Sequence, residues 1–157
     1  MNINTAARIY ADKDFLEGEL HSLATGQVAL FSSKCPEKTS PNEDSAAIIP
    51  YNSKSVVLVV ADGAGGMPSG ARASEATVNQ LKATIKYAAK NDVSLRAAIL
   101  DGIEQANKEI VGWGIGAATT VAVAEITENS IRTYHVGDSQ ILVVGQKGKL
   151  KTLTVVG

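Results

Sequence analysis

Short apolar runs alternate with polar or glycine-rich breaks along this chain, and the period of the apolar positions changes from two to that of a helix and back again. Residues 27–31 predict a short strand and 32–41 a polar loop. Residues 45–50 and 55–61 predict two strands joined by a turn around Asn52 and Ser53. The run VVLVVA at 56–61 has no polar break, so it reads as a strand covered on both faces. Pro68 or Ser69 then opens a helix reaching about Lys90, with Ala73, Ala76, Leu81, Ile85 and Ala88 near helical spacing. Ser94 caps a second helix that brings Leu95, Ile99, Ile103, Ala106 and Ile110 to one face. Both stripes read as core. After Gly116 the pattern predicts strands at 119–126, 130–136, 140–144 and 150–155, with hairpin turns at Glu128-Asn129 and Gln146-Lys147-Gly148-Lys149. Consecutive hairpins around two helices specify an α+β sandwich, not a doubly wound parallel sheet.

Composition narrows the class of molecule. Of 157 residues, 45% are hydrophobic and 20% charged, an ordinary globular balance. A chain of this length buries about 70% of the surface that its unfolded form exposes, enough for a core. Fifteen basic against sixteen acidic side chains leave a net charge of −1, so nothing favours nucleic acid or a membrane surface as partner. No apolar run reaches the length of a bilayer span, and the polar start MNINTAARIYADKD is unlike a secretory signal, so a cytoplasmic location is expected. Cys35 is the only cysteine, which excludes an internal disulfide and suits a reducing compartment. With no histidine near it in sequence it reads as an inert thiol. No repeat, low-complexity tract or linker divides the chain, so residues 1–157 are expected to form a single domain.

Candidate chemistry concentrates at VVLVVADGAGGMPSGARAS, residues 56–74, where Asp62 ends the apolar strand and a glycine-rich turn begins. A carboxylate at such a strand end is expected near the core, where charge is costly unless paired or bound to a cation. No Lys or Arg follows until Arg72, which leaves a hard metal ion as the natural candidate. Gly63, Gly65 and Gly66 allow positive φ and close approach, so a main-chain carbonyl such as that of Gly63 can join Asp62 as an oxygen donor. Two other readings stand beside this one. Asp-Gly after a strand is also ordinary turn chemistry, with Asp62 as a hydrogen-bonded cap. A dinucleotide fingerprint is disfavoured because Pro68 stands where its last glycine should be.

A second acidic cluster, Asn42-Glu43-Asp44-Ser45, opens the strand just upstream. Alone it reads as solvated charge. With Asp62 on a neighbouring strand it would complete an all-oxygen site suited to Mg²⁺ or Mn²⁺. A third signal is Val136-Gly137-Asp138-Ser139, which follows the small-residue stretch Gly116-Ala117-Ala118-Thr119-Thr120-Val121.

In this order, N-E-D-S, V-A-D-G-x-G-G followed by x-x-G-x-x-A-S, G-A-A-T-T and V-G-D-S, the chain resembles the metal-dependent protein phosphatases of the 2C type, from about Cys35 to about Leu153. The resemblance implies two packed antiparallel sheets flanked by helices, with two Mn²⁺ or Mg²⁺ ions at one edge. It implies that Asp62 bridges both ions, that the Gly63 carbonyl and Glu43 bind one of them, and that Asp44 orients metal-bound water. Asp138 would lie close by or serve a weaker metal site. Hydrolysis of a phosphate monoester is among the slowest uncatalysed reactions. Two ions about 3.5 to 4 Å apart supply a nucleophile at neutral pH and neutralise the phosphoryl oxygens.

The pattern departs from the family in three places. Where many members place an arginine that grips the substrate phosphate, this chain has Thr39. Lys38 or Lys34 is the replacement cation, without the bidentate fork of arginine. Where some members carry a histidine proposed as the acid for the leaving group, this chain has Ala64. Nothing after Asp138 is acidic, whereas the family's distal half supplies further aspartates, so the domain is expected to be truncated and the two-ion centre incomplete at the C-terminus. Trp113, set among glycines in Gly112-Trp113-Gly114-Ile115-Gly116, either flanks a substrate groove or tucks under its loop. His135 inside a strand reads as a core or edge histidine before a catalytic one.

Two functions follow. One is a protein serine/threonine phosphatase, or most of one, acting on phosphoproteins with Mn²⁺ or Mg²⁺. The alternative is a catalytically silent domain of the same fold that binds a phosphoprotein or a partner kinase. The carboxylates Glu43, Asp44, Asp62 and Asp138 favour the first; the absent distal aspartates and Thr39 favour the second.

Overall fold

The computed structural model describes residues 6–64 and 68–154. In chain order the first elements are β1 (Arg8–Ala11), β2 (Glu19–Leu23), β3 (Gly26–Leu30), β4 (Asp44–Asn52) and β5 (Ser55–Ala64). Helices α1 (Pro68–Asn91) and α2 (Leu95–Gly112) follow, and then β6 (Ala118–Thr119), β7 (Val121–Thr127), β8 (Ile131–Val136), β9 (Leu142–Val144) and β10 (Leu150–Leu153). The main sheet is antiparallel with order β1-β4-β5-β7-β8, and β6 pairs the tip of β5.

Alternation along β4 and β5 divides their side chains between two cores. Ala47, Ile49, Val57, Val59 and Ala61 face α1 and α2, where Val78, Leu81, Ile85, Ala88, Leu95, Ala98 and Ile99 close over them. Ala46, Ile48 and Val56 face the other way with Tyr10, and the β2–β3 ribbon covers them through Leu23, Val28 and Leu30. β9 and β10 form a second two-stranded ribbon, turned at Gln146–Gly148. The expected α+β fold of antiparallel hairpins and two helices is therefore the one observed. Among the described residues the β2–β3 ribbon covers the second face of the main sheet, and β9–β10 is a separate two-stranded ribbon. The Ser94 hydroxyl caps α2 as expected, accepting a hydrogen bond from the Ala97 amide at 3.2 Å.

Several boundaries differ from expectation for identifiable reasons. β5 does not end at Ala61 but runs to Ala64, because β6 pairs Gly63 with Thr119 and Ala64 with Ala118 and so prolongs the ladder. Nor is β5 covered on both faces along its whole length. The β2–β3 ribbon reaches the Val56 and Leu58 end, and Val60 beyond it is 48% exposed. The strand expected over 119–126 is divided at Thr120 into β6 and β7. β1 and β2 lie in a polar N-terminal region where no strand is expected from composition; pairing with β4 and β3 imposes them. Gly65 and Gly66 of the glycine-rich turn, and Val155 of the last expected strand, lie outside the described residues. No helix among the described residues is long and apolar enough to cross a membrane.

Candidate metal centre

The tip of the β4–β5 pair gathers the acidic motifs. Asp44 and Asp62 are direct register partners across the antiparallel ladder, so both side chains leave the same face of the sheet. Partial burial, and then the charge and hydrogen-bonding contact of Asp62, hold the Asp44 carboxyl above its ordinary value of 3.8; Glu43 adds to this and Lys38 opposes it. Asp62 is not near the core as expected. It is exposed, because the strand tip projects past the ribbon that covers Val56 and Leu58.

Glu43, one residue earlier, turns to the helix side of the same tip. Its side chain is 12% exposed, Oε2 pairs with the Lys38 Nζ at 3.0 Å, and Oε1 is buried without a hydrogen-bond partner among the described residues. The Gly63 amide donates to the Glu43 carbonyl at 3.0 Å, which fixes the two backbones together. Here the glycines matter for close approach. A Cβ on Gly63 would sit 2.1 Å from the Gly70 carbonyl oxygen, so β5 meets the first turn of α1 backbone to backbone. A Cβ on Gly70 would lie 2.9 Å from Glu43 Oε1, 2.9 Å from the Gly63 carbonyl oxygen and 3.1 Å from that of Ala64. Three acceptor oxygens thus border one gap above Gly70. An orphaned carboxylate oxygen beside main-chain carbonyls is a donor set that suits a hard divalent cation.

The other two motifs lock Asp62 in place through its main chain. Thr119 Oγ1 and the Thr120 amide both donate to the Asp62 carbonyl, at 2.9 and 2.8 Å, and the Asp62 amide donates to Thr120 Oγ1 at 3.1 Å. Thr120 Oγ1 in turn shares a 2.5 Å hydrogen bond with Ser139 Oγ. Gly137, at φ +93°, allows this approach, since a Cβ there would stand 2.8 Å from Thr120 Cγ2. Ser139 lines a cleft of about 430 Å³ with Asp44, Asp62, Phe31 and Val60. Asp138 itself is exposed in the β8–β9 connection and lines neither this cleft nor the next. The motifs were legible, but the hydroxyls of Thr119, Thr120 and Ser139 were not singled out; paired small hydroxyl residues beside glycine were the available signal.

A narrower cleft of about 150 Å³ adjoins the tip, where Lys34, Cys35 and Lys38 face Glu43, Asp44 and Asp62. Asn42 anchors its wall. Its side-chain amide donates to the Lys13 carbonyl (2.7 Å) and Ser32 Oγ (2.9 Å), its oxygen accepts from the Asp44 amide (3.0 Å), and its own amide donates to Asp12 (2.9 Å). Thr39 is exposed and lies off this cleft, while both candidate lysines line it. Among the described residues no three His, Cys, Asp or Glu side chains form a ready-made metal cage, so a cation here must draw on main-chain oxygen as well. Trp113 ends α2, half-buried, with the Arg72 guanidinium stacked over its ring at 3.8 Å, and lines neither cleft. His135 lies on β8 opposite Ala122, away from both clefts.

A sequence model of the family described as protein phosphatase 2C matches residues 33–156. No curated protein sequence matches the chain. Among solved structures it is similar to a serine-threonine phosphatase 2C from Toxoplasma gondii, at 16% identity and TM-score 0.63, over 98% of this chain and 54% of that one. It is also similar to the serine/threonine phosphatase Stp1 from Staphylococcus aureus, at 20% identity and TM-score 0.61, over 96% of this chain and 54% of that one. These likenesses are of fold, and the chain spans about half the length of both structures.

Proposed function

Because the chain belongs to the protein phosphatase 2C family, we propose that it carries the proximal part of a metal-dependent protein serine/threonine phosphatase site, acting on phosphoserine or phosphothreonine in proteins, a kinase or its targets among them. The observation that carries this reading is the buried, unpartnered Oε1 of Glu43 beside the Gly63 carbonyl, at a strand tip that also presents Asp44 and Asp62. Glu43, Asp62 and the Gly63 carbonyl would hold Mn²⁺ or Mg²⁺, with two ions in a complete domain, and Asp138 would serve a weaker site. Such ions supply a water-derived nucleophile at neutral pH and neutralise charge on the phosphoryl oxygens.

The chain's own residues do the rest. Asp44 accepts a hydrogen bond from the attacking water and so orients it. Lys38 and Lys34 supply positive charge to the phosphate from the opposite wall of the narrow cleft, as point charges where a guanidinium would make a fork. The threonine and serine hydroxyls fix the Asp62 backbone, so its carboxylate keeps one position during the reaction. With Ala64 at the position after Gly63, no histidine protonates the leaving alkoxide there, and that proton comes from water.

The test is release of inorganic phosphate from a phosphothreonine peptide. The expected result is turnover that requires Mn²⁺ or Mg²⁺ and falls at least about a hundredfold in Asp62→Asn, the order lost with a principal electrostatic group. A chain that takes up Mn²⁺ and binds the peptide, yet releases no phosphate, would be a binding domain instead.

A further inference from the structure

Among the described residues, Lys38 joins the lysine-bearing wall of the narrow cleft to the cation donors. Its amide is held by the Cys35 carbonyl at 3.0 Å, which turns the loop so that the side chain crosses the narrow cleft to Glu43. Its ammonium takes Oε2, the outer oxygen, and leaves Oε1 as the inner one, buried beside the Gly63 carbonyl. A carboxylate on a flexible side chain can rotate either oxygen toward an ion, and rotate both away; a hydrogen bond to one oxygen removes that freedom.

Building on the cation-site reading, we propose that Lys38 is a positioning residue of that site: by holding Oε2 of Glu43 it presents Oε1 to the ion beside the Gly63 carbonyl. Its ammonium also sets the local charge. The cleft sets Glu43, Asp44 and Asp62 against Lys38 and Lys34, which leaves it net negative, the sign that draws in a cation. The Lys38 side chain stays 51% exposed, and the ammonium has further N–H bonds to offer an anion in the cleft. Lys38 then links two events, holding the metal ligand on one side and meeting the phosphate on the other.

The alternative is that Lys38 merely occupies the carboxylate until an ion displaces it, and the two differ in sign. The experiment is calorimetric titration of the whole chain with Mn²⁺ alone, for wild type, Lys38→Met and Lys38→Arg. Positioning predicts that Lys38→Met weakens Mn²⁺ binding about tenfold or more, the usual effect of losing a ligand's outer partner, while Lys38→Arg restores it to within a few-fold. Thermal midpoints of the metal-free variants should stay close together, since an exposed ammonium adds little to stability. Unchanged or tighter Mn²⁺ binding by Lys38→Met overturns the proposal. Wild type that takes up no Mn²⁺ overturns the underlying cation site, and this inference with it, a result visible without any variant.

Discussion

Asp44 and Asp62 stand face to face as register partners at the open end of the β4–β5 ladder, held there by backbone pairing. Two carboxylates so placed repel each other unless a proton or a cation lies between them.

That relationship fixes a pH dependence in the absence of divalent ions. The Asp44 carboxyl is held above 3.8 in the folded chain, so the folded state binds its proton more tightly than the unfolded state does. Its contribution to stability is full below the unfolded value and is lost as pH rises through the raised folded value. In chelator, the midpoint of Asp44→Asn should therefore gain on wild type as pH climbs out of the acid range toward neutrality. A difference between the two that does not change with pH would contradict this.

Gly63 and Gly70 should respond differently to alanine. At Gly63 the new methyl would collide with the Gly70 backbone, which cannot turn aside, and a loss of about 3 kcal/mol or more is expected in urea unfolding. At Gly70 one of the atoms met is the end of the Glu43 side chain, which can move. Gly70→Ala should lose less stability than Gly63→Ala, but should lose its stabilisation by Mn²⁺.

Thr120→Val removes the acceptor for the Asp62 amide and the partner of Ser139. A cost of about 1 to 2 kcal/mol is expected. Combined with Ser139→Ala, the effects should fall short of additive because both break one network. Chemical denaturation of the two single variants and the double variant measures this, and strict additivity would separate Ser139 from the site.

Trp113 is the only tryptophan, so its fluorescence reports on the Arg72 stack directly. Arg72→Ala should change the emission of the folded chain and lower stability by about 0.5 to 1 kcal/mol. Unaltered emission would mean that the stack does not persist in solution.

Much of this was legible in the sequence because its signals were strong and local. The helix stripes, the Ser94 cap, and the hairpin turn at Glu128-Asn129 follow from periodicity and turn chemistry, and Asp62-Gly63 announced itself by interrupting an apolar run. What escaped depends on partners distant in sequence. β1 is four residues of no marked pattern that β4 imposes by pairing, and β5 outlasts its apolar run because β6 lies beside it. Asn42 looked like part of an acidic motif, yet it is the buried anchor that ties the motif to Asp12, Lys13 and Ser32. Lys38 was visible as a cation near the site, but its grip on Glu43 needs the loop turn at Cys35.

The most direct measurement is the thermal midpoint of the chain against Mn²⁺ concentration, for wild type beside Asp62→Asn. Binding to the folded state alone stabilises by about 2.7 kcal/mol at a hundredfold excess over the dissociation constant. The wild-type midpoint should climb with Mn²⁺ and that of Asp62→Asn should stay nearly flat. A wild-type midpoint that ignores Mn²⁺, or a variant that climbs in parallel, would contradict a cation site at the β4–β5 tip.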